Sequence, residues 1–291
     1  MKIATAAYPL DVLTSWAQYE DKLAHWVAEA AVQGAELLVF PEYAAMELAT
    51  LDGAEVAGDL ERSLFSVSDK LEEADRLHVK LAAEHNVHIV AGSGPAATES
   101  RPVNRARLIT PAGQIGVQDK QIMTRFEREE WGVIGGNALQ VFDTAIGKIG
   151  ILICYDSEFP LLGRALAECD VICVPSVTET LAGYWRVRIG SMARALENQC
   201  ITAMSSVVGK ADWSEALGQS YGAGGIFCPP DRGFPPTGIL GMREVNAPGW
   251  TVADADLAQV AEVRADGIVL NRRDWQDQIG RDGKAINVAL R

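Results

Sequence analysis

Residues 148–160 read KIGILICYDSEFP. Ile149 to Ile153, with Gly150 among them, form the short apolar run that a fully buried strand requires. The run stops at Cys154. Tyr155, Asp156 and Ser157 turn the chain, and Phe159-Pro160 opens a helix, since proline is tolerated in a helix's first turn. A thiol therefore stands at the carboxyl end of a buried strand, where ligands bind in open α/β sheets. There it is expected to face backbone N–H groups of the turn and of the next helix, which would lower its pKa and offer oxyanion donors. The same residue also reads as a small buried hydrophobe, the commoner fate of a free cysteine. This stretch alone favours that second reading.

Outward from this stretch, strand and helix signals alternate. Residues 1–7 are a predicted strand. Residues 15–33 carry Trp16, Tyr19, Leu23, Trp26, Val27 and Ala30 at helical spacing, and Gly34 follows as a C-cap. Residues 37–40 form a second apolar strand stopped by Pro41, and Glu42 follows at once. A carboxylate there is either a helix-dipole partner or a site residue. Residues 68–86 read as a helix and 87–91 as the strand after it. Residues 103–110 and 114–118 flank Pro111-Ala112-Gly113, a hairpin signal that delivers Asp119-Lys120. Residues 124–131 are dense in charge and read as a loop or short helix. A second hairpin pairs 139–143 with 148–154 through Gly147. Beyond Pro160 the expected elements are a helix over 161–168, a strand over 171–177, a helix over 184–199 and a strand over 201–208. Late strands follow at 221–230 and 249–254. No repeat period is visible. The pattern predicts a layered α/β fold with parallel and antiparallel pairs, one domain over 1–291 in which 270–291 extends over a neighbour.

Composition narrows the function classes. The chain has 291 residues, 48% hydrophobic and 22% charged, with a formal net charge of −13. That excess of acid repels nucleic acid and anionic membrane, so neither is expected as a partner. The first residues lack a secretory pattern and no apolar run approaches the roughly 20 residues of a membrane span. Five cysteines, an odd number set mostly in apolar segments, fit reduced thiols better than a disulfide framework. A soluble cytoplasmic protein is the expectation.

Several chemistries fall away. There is no G-x-S-x-G elbow. The four histidines form no H-E-x-x-H, and Cys169 and Cys173 have no partner pair for zinc. Gly92-Ser93-Gly94-Pro95-Ala96-Ala97 mimics a dinucleotide fingerprint, but Pro95 and Pro102 spoil the helix that should follow. Glu42, Lys120 and Cys154 remain, each at or just after the end of a predicted strand. A lysine and a carboxylate buried at one rim would each cost several kcal/mol unless paired. With a thiol they make a complete set: nucleophile, proton acceptor and electrostatic partner for an oxyanion.

These residues carry a resemblance to the nitrilase, or carbon–nitrogen hydrolase, superfamily. Leu37-Leu38-Val39-Phe40-Pro41-Glu42 resembles its glutamate block, Asp119-Lys120 its lysine block, and Gly150-Ile151-Leu152-Ile153-Cys154-Tyr155-Asp156 with Phe159-Pro160 its cysteine block. Ala193-Arg194-Ala195-Leu196-Glu197-Asn198 is similar to the helix after the nucleophile. Asp254-Ala255-Asp256-Leu257 and Arg264 are similar to the last strand and helix. The resemblance implies a four-layer αββα sandwich of two mixed sheets, assembled as a homodimer or higher homo-oligomer. It implies Cys154 as nucleophile, Glu42 as general base, and Lys120 with the Tyr155 backbone N–H as oxyanion stabilisers. It implies no metal and no organic cofactor. A second glutamate that orients the substrate is also implied; Glu127, Glu129 and Glu130 compete, and Glu129 is favoured from its distance to Gly136-Asn137. Tyr43, Phe126, Trp131, Tyr184 and Trp185 are candidate pocket walls. Glu158 stands where many members carry a basic residue; it either selects a cationic tail or pairs with Arg164. The implied substrate is a small amide, cleaved through a cysteine thioester, with a nitrile or N-carbamoyl compound as the alternative. A non-catalytic binding partner is the alternative of another class.

Overall fold

In the computed structural model, which describes residues 1–281, 283 and 285–290, the strands join into one continuous sheet folded on itself. The first half runs from β1 (Lys2–Pro9) through helix α1 (Trp16–Val32), β2 (Leu37–Val39), the short α2 (Ala54–Ala57) and the long α3 (Leu60–His85). It closes with β3 (His88–Ala96), β4 (Val103–Ile109) and β5 (Ile115–Asp119). The second half holds β6 (Phe142–Thr144), β7 (Gly147–Ile151), α4 (Pro160–Ala165), β8 (Val171–Ser176), α5 (Leu181–Asn198) and β9 (Ile201–Lys210). Then come β10 (Gln219–Ser220), β11 (Gly225–Phe227), β12 (Ile239–Met242), β13 (Gly249–Asp254), α6 (Leu257–Asp266) and α7 (Asn271–Asp274).

Strand order is 5-4-3-2-1-9-8-7-6, and the halves meet where Ala7–Pro9 of β1 pairs in parallel with Ser206–Val208 of β9. Side-chain alternation then builds the layers. Ile3, Leu37, Val39, Val90 and Leu108 of the first half pack with Ile149, Ile151, Val171, Cys173 and Ala203 of the second. The opposite faces turn outward. Ala4, Leu38, Ile89 and Ile109 meet α1 and α3. On the other side, Thr202 bonds to the Ser191 carbonyl of α5, and Gly150 lies against Leu166 and Cys169. The result is the αββα sandwich, its two sheets being halves of one hydrogen-bonded surface.

Local signals explain most boundaries. Ser15 caps α1 by accepting from the Gln18 N–H, and Tyr19, Leu23, Trp26, Val27 and Ala30 form its buried stripe. Each large side chain so buried contributes about 1.5–3 kcal/mol over exposure. Helix α3 starts at Leu60 and not at Ser68, because Asp59 caps it at 2.7 Å from the Arg62 N–H and Leu64 and Val67 extend its apolar face. The 139–143 strand shrinks to β6, and the 221–230 strand shrinks to β11. Near the C-terminus, Arg272 donates to the Ala167 carbonyl and Arg164 lies 4.6 Å over the Trp275 ring, so this part of the 270–291 extension rests on its own chain. Asp282, Lys284 and Arg291 of that extension lie outside the described residues. Among the described residues, no helix is long and apolar enough to cross a membrane.

Direction is what this topology contributes to a site. β1, β2, β7, β8 and β9 run parallel through their pairings, and β5 regains the same direction after two antiparallel steps from β3. The chain therefore leaves β2, β5, β7 and β8 at one rim. The dinucleotide-like glycines serve packing there. A Cβ at Gly92 would overlap the Ala44 side chain and come within 3.0 Å of the Pro41 carbonyl, and one at Gly94 would meet Ala45 at 2.8 Å. Gly92→Val is accordingly expected to push the segment after β2 outward and to cost about 1–3 kcal/mol, read as a lowered urea midpoint at unchanged slope.

Candidate active site

Each rim segment is held by its neighbours before it presents a side chain. After β2, Phe40 N–H still pairs with the Val90 carbonyl; the Ser93 hydroxyl then receives the Tyr43 N–H at 3.0 Å. Tyr43 sits in the left-handed region at φ 55°, which sharpens the turn and aims Glu42 inward. After β5, the Lys120 N–H bonds to the Asn104 carbonyl at 2.9 Å, and the Gly136 N–H returns to the Lys120 carbonyl. After β7, Leu152 still pairs with Cys173, and Cys154 turns the chain at φ 49° into a 3-10 segment, Cys154–Glu158. Two such conformations in non-glycine residues cost about 1–3 kcal/mol each. Both fall on the segments that carry the site. Close packing holds the second: a Cβ at Gly190 of α5 would meet the Ser157 carbonyl at 2.8 Å, and Arg194 donates to that carbonyl at 3.0 Å.

The structure brings Glu42, Lys120 and Cys154 to one cavity, and all three are almost wholly buried. Lys120 Nζ lies 2.7 Å from Glu42 Oε1 and 2.6 Å from Glu127 Oε2. Glu42 Oε2 accepts the Val177 N–H at 3.0 Å, and the Cys154 thiol donates to the Val177 carbonyl at 3.5 Å. Glu127 also accepts from Tyr43 Oη at 2.8 Å and from both the N–H and the hydroxyl of Thr124 at 2.9 Å. The amide of Asn104, at 3.0 Å from Glu42 Oε1 and 3.4 Å from Glu127 Oε1, spans the two carboxylates.

These contacts set the charges. Burial, and then the charge of Glu42, push the Cys154 thiol well above its ordinary pKa. The sequence expectation of a lowered thiol pKa is thus corrected, because desolvation and a neighbouring carboxylate outweigh Lys120 and the turn. Burial also raises Glu42 despite Lys120. Burial opposes the charge on Lys120, but Glu127 and Glu42 outweigh it and hold the ammonium protonated. Glu127 is lowered: burial works against it, and the Lys120 charge and hydrogen bond prevail.

Other expectations change. The second glutamate at the cavity is Glu127 and not Glu129, which is 53% exposed and pairs with Arg125. The missed signal is Thr124-x-x-Glu127, a capping box that starts the turn Glu127–Trp131 and points its glutamate back toward Lys120. Tyr43, Phe126, Trp131, Tyr155 and Glu158 line the cavity, the Tyr43 and Trp131 rings tilted by 42° with centroids 4.8 Å apart. Tyr184 and Trp185 do not: Tyr184 is buried in the core of the second half, and Trp185 is 44% exposed on the outer side of α5, carrying Arg188 over its ring. Glu158 pairs with Arg186 at 3.6 Å and not with Arg164, which α4 directs to the C-terminal segment. Asn104 has no distinctive sequence signal: it is one of three polar residues in β4, VNRARLI, beside Arg105 and Arg107.

Asp156 joins two of the three segments. Its carboxylate accepts the N–H of Gln121 at 3.0 Å and of Ile122 at 2.9 Å, tying the lysine loop to the cysteine turn. Burial raises its pKa from 3.8 to about 7, against the help of those N–H groups. The folded value lies above the unfolded one, so the stability it contributes is complete below pH 4 and is lost as pH rises through 7. Asp156→Asn keeps an acceptor and removes the titration. Urea midpoints from pH 4 to 8 are expected to fall more steeply for the wild type than for this variant.

Comparison with known proteins bears on this geometry. The sequence profile of the Carbon-nitrogen hydrolase family matches residues 2–225. The chain is 33% identical over 282 residues to Probable hydrolase YhcX of Bacillus subtilis (strain 168), a match covering 96% of this chain and 54% of that protein. It is 28% identical over 191 residues to Omega-amidase YafV of Escherichia coli (strain K12), covering 65% of this chain and 66% of the relative. The chain thus spans about half to two thirds of the length of these curated relatives. Among solved structures, a double mutant of the amidase from Nesterenkonia sp. AN1 in complex with acrylamide superposes with a TM-score of 0.68 at 21% identity, covering 97% of this chain and 96% of the other. That likeness carries the fold. By the extent of the profile match and the identity to its relatives, the chain belongs to the carbon–nitrogen hydrolase family.

Proposed function

We propose that this chain hydrolyses the C–N bond of a small amide through a thioester on Cys154, releasing ammonia or an amine and a carboxylic acid. One observation carries the reading: a thiol, a carboxylate and an ammonium from three distant segments meet at a single cavity of about 220 Å³. That volume is below the roughly 300–1,000 Å³ of sites for drug-sized ligands, which favours a small substrate. The relatives carry omega-amidase and nitrilase names alike, so an amide is the first reading and a nitrile the alternative.

In this mechanism Glu42 accepts the thiol proton as Sγ attacks the carbonyl carbon. The raised pKa values of both groups mean that transfer accompanies attack, since no thiolate waits at rest. The carbonyl electron pair moves to oxygen, where Lys120 and the Tyr155 N–H hold it. Collapse breaks the C–N bond, and the leaving nitrogen takes the proton from Glu42. Water then gives a proton to Glu42 and attacks the thioester, which frees the acid and restores the thiol. Glu127, Asn104 and Tyr43 act as positioning residues that keep Lys120 and Glu42 in place.

We also assign 1–291 to one domain, place it in a reducing cytoplasm on the strength of its five buried, unpaired thiols, and propose a homodimer or larger assembly. Leu181, Trp185 and Ile189 stand exposed at four-residue spacing on α5, with Leu161 exposed on α4. Light scattering is expected to return at least twice the 31.3 kDa chain mass, and Ile189→Asp to lower it. For the chemistry, incubation with a slow amide is expected to add the acyl mass to the Cys154 peptide. Cys154→Ala should lose that adduct and roughly 10³-fold or more in ammonia release while keeping its thermal transition.

A further inference from the structure

The same cavity carries an imbalance of charge that the three reacting groups do not explain. Its walls present four carboxylates, Glu42, Glu127, Glu158 and Glu179, against two cations, Lys120 and Arg186, a formal excess of two negative charges. Lys120 is already shared between Glu42 and Glu127 on the floor. Arg186 stands on the outer side of the cavity, 62% exposed, and reaches Glu158 only at 3.6 Å. Glu158 is far less accessible, 20% exposed, so it is the carboxylate that has lost water without gaining a short ion pair. Glu179, exposed at the rim, takes part in no ion pair among the described residues.

Position makes this a subsite. Glu158 ends the 3-10 segment that begins at Cys154, four residues away, so its backbone is offset from the nucleophile by roughly 8 Å at about 2 Å per residue. The segment is rigid: Ser157 and Asp156 within it are bound to Cys154, Arg194 and the lysine loop. Apolar Val187, Leu217 and Phe126 line the same cavity as the reacting thiol and Glu158. A ligand spanning this space needs a carbonyl at one end, a few methylenes, and a positive charge at the other.

Resting on the amidase reading above, we propose that the preferred substrates are monocationic: amides or N-carbamoyl compounds with a primary ammonium a few methylenes from the carbonyl, held between Glu158 and Glu179. A carboxylate tail is disfavoured, because Lys120 is already shared by Glu42 and Glu127 and Glu158 competes for Arg186.

The test is a set of amides of equal length ending in ammonium, methyl or carboxylate, assayed by ammonia release. In the wild type, kcat/KM is expected to rank ammonium over methyl over carboxylate, with roughly tenfold or more between the first two, the worth of one charged hydrogen bond. In Glu158→Gln the ammonium-to-methyl ratio should collapse toward one, with the loss in KM and not in kcat; Glu158→Lys should reverse the ranking. Turnover that ignores the tail, or favours carboxylate, overturns the cationic preference and leaves the amidase reading standing. Failure to hydrolyse any member, with no adduct on Cys154, overturns both.

Discussion

A single ammonium, that of Lys120, lies out of water between the carboxylates of Glu42 and Glu127. Taking such charges out of solvent costs several kcal/mol per ion, and the arrangement persists only when every lone pair and proton finds a partner. Here the partners come from all around: Asn104 bridges the two acids, Thr124 and Tyr43 complete Glu127, and the Val177 N–H completes Glu42. Removing Lys120 would leave two carboxylates buried without a counter-charge, at about 3–5 kcal/mol or more. The polar floor is therefore a fold determinant as well as a chemical device. It also decides protonation: the lysine stays charged, while the nearby thiol stays neutral because a carboxylate and burial face it.

This electrostatic floor requires sharp backbone turns, and the fold supports them by close approach. Tyr43 and Cys154 both adopt the left-handed conformation, one beside the Glu42 carboxylate and one at the thiol itself. Against the first lie Gly92 and Ser93 of β3; against the second lie Gly190 and Arg194 of α5. Strain at Tyr43 and Cys154 is thus balanced by small residues and hydrogen bonds on the neighbouring elements, whose own sequence signals point only to strand and helix. The glycine pattern that mimics a nucleotide fingerprint belongs to this support.

Floor and rim differ in what holds them. On the floor, each charge has short partners, 2.6–2.8 Å apart, and little freedom. On the rim, Glu158 and Arg186 are loosely paired and Glu179 is exposed with no ion pair among the described residues, so their energetics respond to what enters. The first arrangement suits chemistry shared by many substrates, and the second suits discrimination among them.

The sequence by itself determined the elements with strong periodicity or strong punctuation. Helix α1 follows from its apolar spacing and Ser15 cap, the β4–β5 hairpin from Pro111-Ala112-Gly113, and β7 from its apolar run. The convergence of Glu42, Lys120 and Cys154 was legible too, since each follows a strand end and the strand directions bring those ends to one rim. What only the tertiary structure decided is which neighbours complete them. Glu127 prevails over Glu129 because a capping box turns one glutamate inward and leaves the other to pair with Arg125 on the surface. Asn104 matters because β4 runs beside β3 as well as its hairpin partner β5, and no local pattern encodes the pairing with β3. The thiol pKa rises because burial and Glu42 act through space, although Glu42 and Cys154 lie far apart in the chain. Local propensity is written in adjacent residues, whereas desolvation and charge pairing depend on distances that exist only after the sheet has folded on itself.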